Sequence, residues 1–214
     1  MTMRRPTLGT LLICLALAGC TPFGRPEPLR IVAPMPTITL DPAWSQVDWS
    51  LLVQRPIADQ TRGSVRIVVR SDNARLSYYP GIAWLDQLPE MLQTELLRAF
   101  TDSGRIPAVA RPGVARARFA LATEIRRFDA VQDGVEGDSG RLAVELELQA
   151  ALLEVRHGEL LASRVFRQRV PAAGRDADTL TAAFDSALGL LTSELIGWTL
   201  ETGSSATAAQ PAGG

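Results

Sequence analysis

The chain has 214 residues, 46% of them hydrophobic, with a formal net charge of -1. All 22 basic residues are arginines; the missing lysine excludes Schiff-base, P-loop and lysine general-base chemistry, and the near-neutral balance argues against a nucleic-acid face. Both cysteines, Cys14 and Cys20, lie near the amino end, so a domain beyond them has neither a disulfide nor a free thiol and depends on its hydrophobic core.

Arg4 and Arg5 precede an apolar run over 8–18, and small Gly19 precedes Cys20. This is the layout of a secretory signal, and the run is shorter than the roughly 20 apolar residues a spanning helix needs. Leu17-Ala18-Gly19-Cys20 resembles a bacterial lipobox. The likeness implies that 1–19 is removed, that the Cys20 sulfur takes a diacylglyceryl group, and that the new amino terminus is acylated, typically with palmitate. Several acyl chains anchor firmly, at about 0.8 kcal/mol per buried methylene. Thr21, in place of aspartate, favours the outer membrane by resemblance to the sorting pattern, with the chain facing the periplasm. Losing Arg4 and Arg5 takes the charge to about -3, since -1 minus 2 is -3. Pro22, Gly24, Pro26 and Pro28 make 20–28 a stiff tether of roughly 25 Å at about 3 Å per residue.

The body of the chain is expected over 29–201. Residues 29–33 read as a strand stopped by Pro34 and Pro36, and 48–54 as a second. Val65, Ile67 and Val69 alternate with Arg66 and Arg70, a strand with one buried face. Asp72-Asn73 reads as a turn, 75–79 as a further strand, and Pro80-Gly81 as another turn. A helix is expected over 84–103: Leu85, Leu88, Leu92, Leu96 and Ala99 recur at helical steps, with Asp86 as cap, Pro89 in the first turn and Gly104 as stop. A strand over 115–126 places Phe119, Leu121, Thr123 and Ile125 on one face. Residues 129–140 read as an acidic loop.

In 141–155, Leu142, Val144, Leu146, Leu148 and Leu152 point inward. Arg156-His157-Gly158 reads as a three-residue hairpin loop with Gly158 left-handed. Setting Val155 opposite Glu159 then pairs Leu148 with Phe166, Glu147 with Arg167 and Glu145 with Arg169. A second helix over 178–200, capped by Asp178, carries Leu180, Phe184, Ala187, Leu188, Leu191, Leu195 and Trp198 on one stripe. Residues 202–214, small and polar, read as a disordered tail. These elements pack most cheaply as an α+β two-layer sandwich, a mostly antiparallel sheet with both long helices on one face.

Chemistry is sparse. His157, the one histidine, falls in a turn, which leaves no usual zinc set. Asp129, Asp133, Glu136 and Asp138 crowd one loop without the spacing of a calcium loop, and Gly134, Gly137 and Gly140 lack the strand-to-helix setting of a phosphate cradle. Arg116, Arg118, Arg126, Arg164, Arg167 and Arg169 could form a basic face for headgroups or an acidic partner, which Glu145 and Glu147 would largely neutralise. Trp84 with Tyr78 and Tyr79 reads as packing before it reads as a binding patch. No catalytic residue, cofactor or metal is expected.

The succession Tyr78-Tyr79-Pro80-Gly81-Ile82-Ala83-Trp84, then Leu88-Pro89-Glu90-Met91-Leu92-Gln93 and Leu96, resembles the ABC-type transport auxiliary lipoprotein family. Its members have an aromatic residue, a short turn, a tryptophan and a Leu-Pro-x-x-Leu helix start. Arg118-Phe119-Ala120-Leu121 leading to Phe128, the leucine-rich strand 142–153, Arg164-Val165-Phe166 and the helix 182–198 are similar too. The resemblance implies a non-enzymatic, PqiC-like component of a Mce, Mla or Pqi type system moving phospholipid or other hydrophobic molecules. It implies a Mce-domain protein and an ABC permease as partners, a lipid anchor at Cys20, and a fold like the amino-terminal domain of TolB. The chain departs from that pattern by a long segment between its first two strands, with Trp44 and Trp49. Alternatives left open are a lipid carrier with a sizeable apolar pocket between helices and sheet, and a structural lipoprotein of an outer-membrane barrel assembly. A homo-oligomer also stays open.

Overall fold

The computed structural model describes residues 28–71, 74–133 and 141–209. Cys20, the signal and nearly all of the tether, the turn at Asp72-Asn73, Glu136, Asp138 and Gly134, Gly137 and Gly140 lie outside them. The elements are β1 (Arg30–Val32), β2 (Leu51–Val53), β3 (Ile57–Ala58), β4 (Arg66–Arg70), β5 (Leu76–Trp84), α1 (Leu88–Asp102), β6 (Val109–Ala110), β7 (Phe119–Asp133), β8 (Arg141–Glu154), β9 (Glu159–Pro171) and α2 (Ala177–Ala209).

Strand β7 organises the sheet. One of its edges pairs antiparallel with β8 along its whole length, and β8 carries β9. Its other edge receives three short strands in succession, all parallel: β2 at Phe119–Leu121, β3 at Glu124 and Ile125, β4 at Asp129–Val131. Strand β6 then adds to β2, β5 to β4, and β1 to β5. The long strands are antiparallel, as the sequence suggests; the short amino-terminal ones pair parallel, apart from β4 with β5.

One face of this sheet carries both helices. Leu92, Leu96 and Phe100 of α1 and Leu180, Phe184, Leu188 and Leu191 of α2 share a single core with Leu121, Val144, Leu146, Leu148 and Leu152. Its aromatic centre is Phe184, stacked on Phe128 at 5.2 Å, with Trp84 edge-on at 5.0 Å. Of the stripe expected on α2, Trp198 is only half-buried, edge-on to Phe166.

Several expectations are corrected. Pro80-Gly81 is not a turn but lies inside β5. Between Arg66↔Ala83 and Val68↔Tyr78 the partner strand β4 has one residue where β5 has four, and this bulge absorbs both the proline and Gly81 at φ 70°. Trp84 therefore ends a strand, and α1 starts at Leu88. Its N-cap is Gln87, without a side-chain bond; Asp86 only accepts the Gln87 N–H, and Leu85 is solvent-exposed. Helix α2 is capped by Asp176, not Asp178: its Oδ1 accepts the N–H groups of Asp178 and Thr179. These bonds and the Thr179 hydroxyl hold the Asp176 carboxyl below its ordinary pKa.

The segment read as a tail is helical through Ala209, because Gly203 receives the Trp49 ring and Ala206 packs on the core. Strand β7 runs on through Asp133, through part of the region read as a loop. A one-residue bulge at Arg126, between Ile125↔Leu148 and Arg127↔Glu147, switches its parity. Phe119, Leu121 and Ile125 point inward before it, Phe128 and Ala130 after it.

The β8–β9 register is as expected at Leu148↔Phe166, Glu147↔Arg167 and Glu145↔Arg169, but not at the turn. Glu154 faces Glu159, so the loop is one residue longer, and a bulge at Leu161 restores the register. Gly158 has φ 68° with open space around it. Gly158→Ala is expected to cost about 1 kcal/mol, from backbone strain alone, as a lower urea midpoint.

Candidate functional site

Two features stand out from the core: a strap laid along α2 and a charged outer face on the sheet. The strap is the long segment 33–50 between β1 and β2. Its partners climb α2 in four-residue steps. The Met35 N–H donates to Asp185 Oδ1 at 2.8 Å, the Thr37 carbonyl lies against Gly189, and the Thr39 N–H donates to Ser193 Oγ at 3.1 Å. Further on, the Trp44 ring covers Gly197 and the Trp49 ring covers Gly203. Two residues of extended chain advance about 6.6 Å and four of helix about 6 Å, so the two runs stay in step. The strap is the departure noted in the sequence, and the glycines of α2 are its seat.

Between strap and α1 lies a cleft of about 310 Å³, lined by Met35, Ile38, Leu40, Ala99, Glu95 and Arg98 among others. Burial pushes the Glu95 carboxyl above its ordinary pKa; Arg98 opposes this and Asp185 adds to it. Burial raises Asp185 as well, against the bond from Met35. A raised carboxyl favours the folded state below its unfolded pKa, and that contribution fades as pH climbs through the folded value. Glu95→Gln should therefore melt above the parent at about pH 7 and level with it near pH 4, by thermal scans at the two pH values.

The outer face, opposite the helices, is a lattice of ion pairs. Asp129, fully buried, accepts two bonds from the Arg62 guanidinium at 2.9 and 2.7 Å and has Arg70 Nε at 3.4 Å. Arg70 also bonds Glu145, which meets Arg127 and Arg169. Glu147 meets Arg167, Arg126 and Arg127. Burial alone would lower the Arg62 pKa, but Asp129 and Asp59 outweigh it and raise it.

Asp129 is thus a strand residue that ties β7 to β4 and to the β3–β4 loop, and not a loop residue. The sequence signal that could have found it is an aspartate flanked by apolar Phe128, Ala130 and Val131, poorly suited to a solvated loop. Of the other arginines singled out, Arg118 lies over the Phe119 ring and Arg164 over Phe166. His157 sits in the exposed β8–β9 turn with Nδ1 3.2 Å from Glu154; its backbone N–H is the main reason the Glu154 carboxyl is lowered. Trp84 is core, Tyr79 donates its hydroxyl to the Arg175 carbonyl, and Tyr78 faces outward under Arg66. Among the described residues no three His, Cys, Asp or Glu side chains converge on a metal position. No described helix is long and apolar enough to cross a membrane.

The sequence model of the family described as ABC-type transport auxiliary lipoprotein component matches residues 30–195. An uncharacterized protein of Bradyrhizobium diazoefficiens is 28% identical over 165 residues, 75% of this chain and 42% of its own length. The chain thus spans less than half of that curated relative. The crystal structure of XCC0632 from Xanthomonas campestris superposes with a TM-score of 0.76 at 39% identity, covering 83% of this chain and 98% of that one. A second crystal structure, of an uncharacterized protein, shares the fold at a TM-score of 0.57 and 14% identity, covering 86% and 100%.

Proposed function

Because the chain belongs to the family of ABC-type transport auxiliary lipoprotein components, we propose that it is a non-catalytic docking adaptor of a transporter that moves phospholipid or other hydrophobic molecules across the envelope. Cys20 carries the lipid, 20–28 is the tether, and the sandwich faces the periplasm from the outer membrane, docking on a Mce-domain protein that works with an ABC permease. The observation that carries this reading is the family match itself, which begins at residue 30, ten residues after the lipobox cysteine.

The packing supports an adaptor over a lipid carrier. A carrier needs room for acyl chains between helices and sheet, and that space is filled by Phe100, Phe119, Phe128, Phe166 and Phe184, each under 2% exposed. The cleft under the strap is at the small end for a ligand site, and the roomier groove of about 510 Å³ beside Leu161 and Trp198 lies open at the surface. The outer-face carboxylates and arginines are engaged with one another, which suits a rigid scaffold better than acid–base chemistry.

The test is affinity capture from detergent-solubilised envelopes, with radiolabelled palmitate as the companion measurement. Wild-type protein is expected to bring down Mce-type and ABC components and to take up label, and Cys20→Ala to lose the label. Capture without either component, or label entering equally after Cys20→Ala, overturns the proposal.

A further inference from the structure

The outer face of the sheet divides in two. Over β7, β8 and β9 it is covered by the ion-pair lattice. At the β1–β5 edge it is apolar and open. Ile31 pairs with Ala83 and Ala83 with Arg66, so these three form one row on the outer side. Tyr78 and Leu76 share that side, opposite Val68 and Arg70, and the Arg66 guanidinium lies 4.8 Å from the Tyr78 ring centroid. Leu29 stands two residues before Ile31, and Leu85 follows the row's Ala83 and bonds through its N–H to Val32. Leu29 and Ile31 are each 62% exposed and Leu85 67%. Three large aliphatic side chains held open, beside an arginine stacked on an exposed tyrosine, match the chemistry of a lipid headgroup–acyl boundary.

What covers this patch follows from where the chain comes from. The strand that carries Leu29 and Ile31 is the first element after the tether, and eight residues separate Cys20 from Leu29. Those residues span at most about 30 Å, and a stiff tether of that length lying along the surface sets the patch on the leaflet. Tethering at that range gives a weak surface an effective concentration far above its free one. We propose that the Leu29–Ile31–Leu85 edge rests on the phospholipid leaflet that holds the anchor, so that the sandwich lies with its β1 edge down and its strap and helices turned aside. This rests on the lipidation of Cys20 proposed above.

With Cys14 removed with the signal and the Cys20 sulfur lipidated, no thiol competes, so single reporters can be placed by Ile31→Cys, Leu85→Cys and, as control, Leu190→Cys on the exposed side of α2. Each full-length lipidated variant carries an environment-sensitive fluorophore and is reconstituted into phosphatidylethanolamine–phosphatidylglycerol vesicles containing spin-labelled lipid. Flotation with the vesicles reads the anchor; emission and quenching read the patch. The expected result is a blue shift and at least twofold stronger quenching at Ile31 and Leu85 than at Leu190. Equal quenching at all three sites in protein that floats overturns the proposal and leaves the anchor standing. A blue shift without lipid quenching that fades on dilution also overturns it, since a second copy then covers the patch. If the protein does not float, the anchor reading fails. The same reporters in a Cys14→Ser, Cys20→Ser background, at saturating vesicle concentration, then decide the patch alone: a quenched, shifted Ile31 reporter upholds it, and a water-like one rejects it.

Discussion

Asp129→Ala is expected to lower stability by about 3 kcal/mol, read as a shift of the urea midpoint at near-neutral pH. The carboxylate is fully buried and joins β7 to Arg62 of the β3–β4 loop and to Arg70 of β4. Removing it strands positive charge: Arg62, only 11% exposed, keeps Asp59 alone. Breaking a buried pair by deleting one partner costs about 3–5 kcal/mol, and the lower end applies because both arginines retain another carboxylate. Asp129→Asn, which keeps the shape and part of the hydrogen bonding but still strands the arginines, should lose less than Asp129→Ala. Arg62→Met with Asp129→Leu should recover much of the loss, since apolar isosteres of buried pairs are often neutral. Equal losses for Asn and Ala would place the effect in charge and not in shape or hydrogen bonding.

Gly189→Ala is expected to destabilise by about 1–2 kcal/mol, although alanine is the better helix former. The two effects oppose each other. Helix propensity favours alanine by about 1 kcal/mol. Against it, a Cβ at 189 would sit 2.5 Å from the Thr37 carbonyl oxygen, a backbone atom with no rotamer to relax into. Either the strap lifts, losing the bonds at Met35 and Thr39, or α2 shifts within a packed core; overpacking of this kind costs about 1–3 kcal/mol. Limited proteolysis separates the routes: a lifted strap is cut within 33–50 while the remainder resists. A rise in stability with unchanged proteolysis would mean that the strap does not bear on Gly189. Gly203→Ala, which would set a Cβ 2.6 Å from Trp49, should act in the same direction with the cut nearer Trp49.

The long hairpin was legible because alternation with period two carries its information locally. Leu142, Val144, Leu146 and Leu148 declare a face without knowing their partner, and the opposed charges at Glu145 and Glu147 fix the middle of the register. The bulges were not legible. At Arg126 and Leu161 one residue is inserted and parity changes, so an alternating pattern read straight through places Asp129 in a loop and shortens the turn at 156–158. The Pro80-Gly81 pair looks like a turn by composition, and only the partner strand β4 makes it a bulge. The strap was hidden for a related reason: its contacts lie on a helix far along the chain, and Gly189, Gly197 and Gly203 read as weak points in that helix until Thr37, Trp44 and Trp49 are set against them. The tail through Ala209 is helical because Trp49 and the core need it, which local propensity cannot express. The Cys20 anchor stays a proposal, resting on the lipobox and the family.

Strand β7 has a consequence for how the protein is made. Strands β2, β3 and β4 pair with its edge, and the strap bonds residues 150 and 154 positions downstream. As the chain is synthesised amino end first, its opening third therefore emerges with no partner to fold upon. It must wait, unpaired and rich in apolar side chains, until more than half of the polypeptide has followed. Such high contact order makes folding slow and the waiting segment prone to aggregate. On this topology the β7–β8–β9 meander and α2 are expected to condense first, and the amino-terminal strands and strap to dock last.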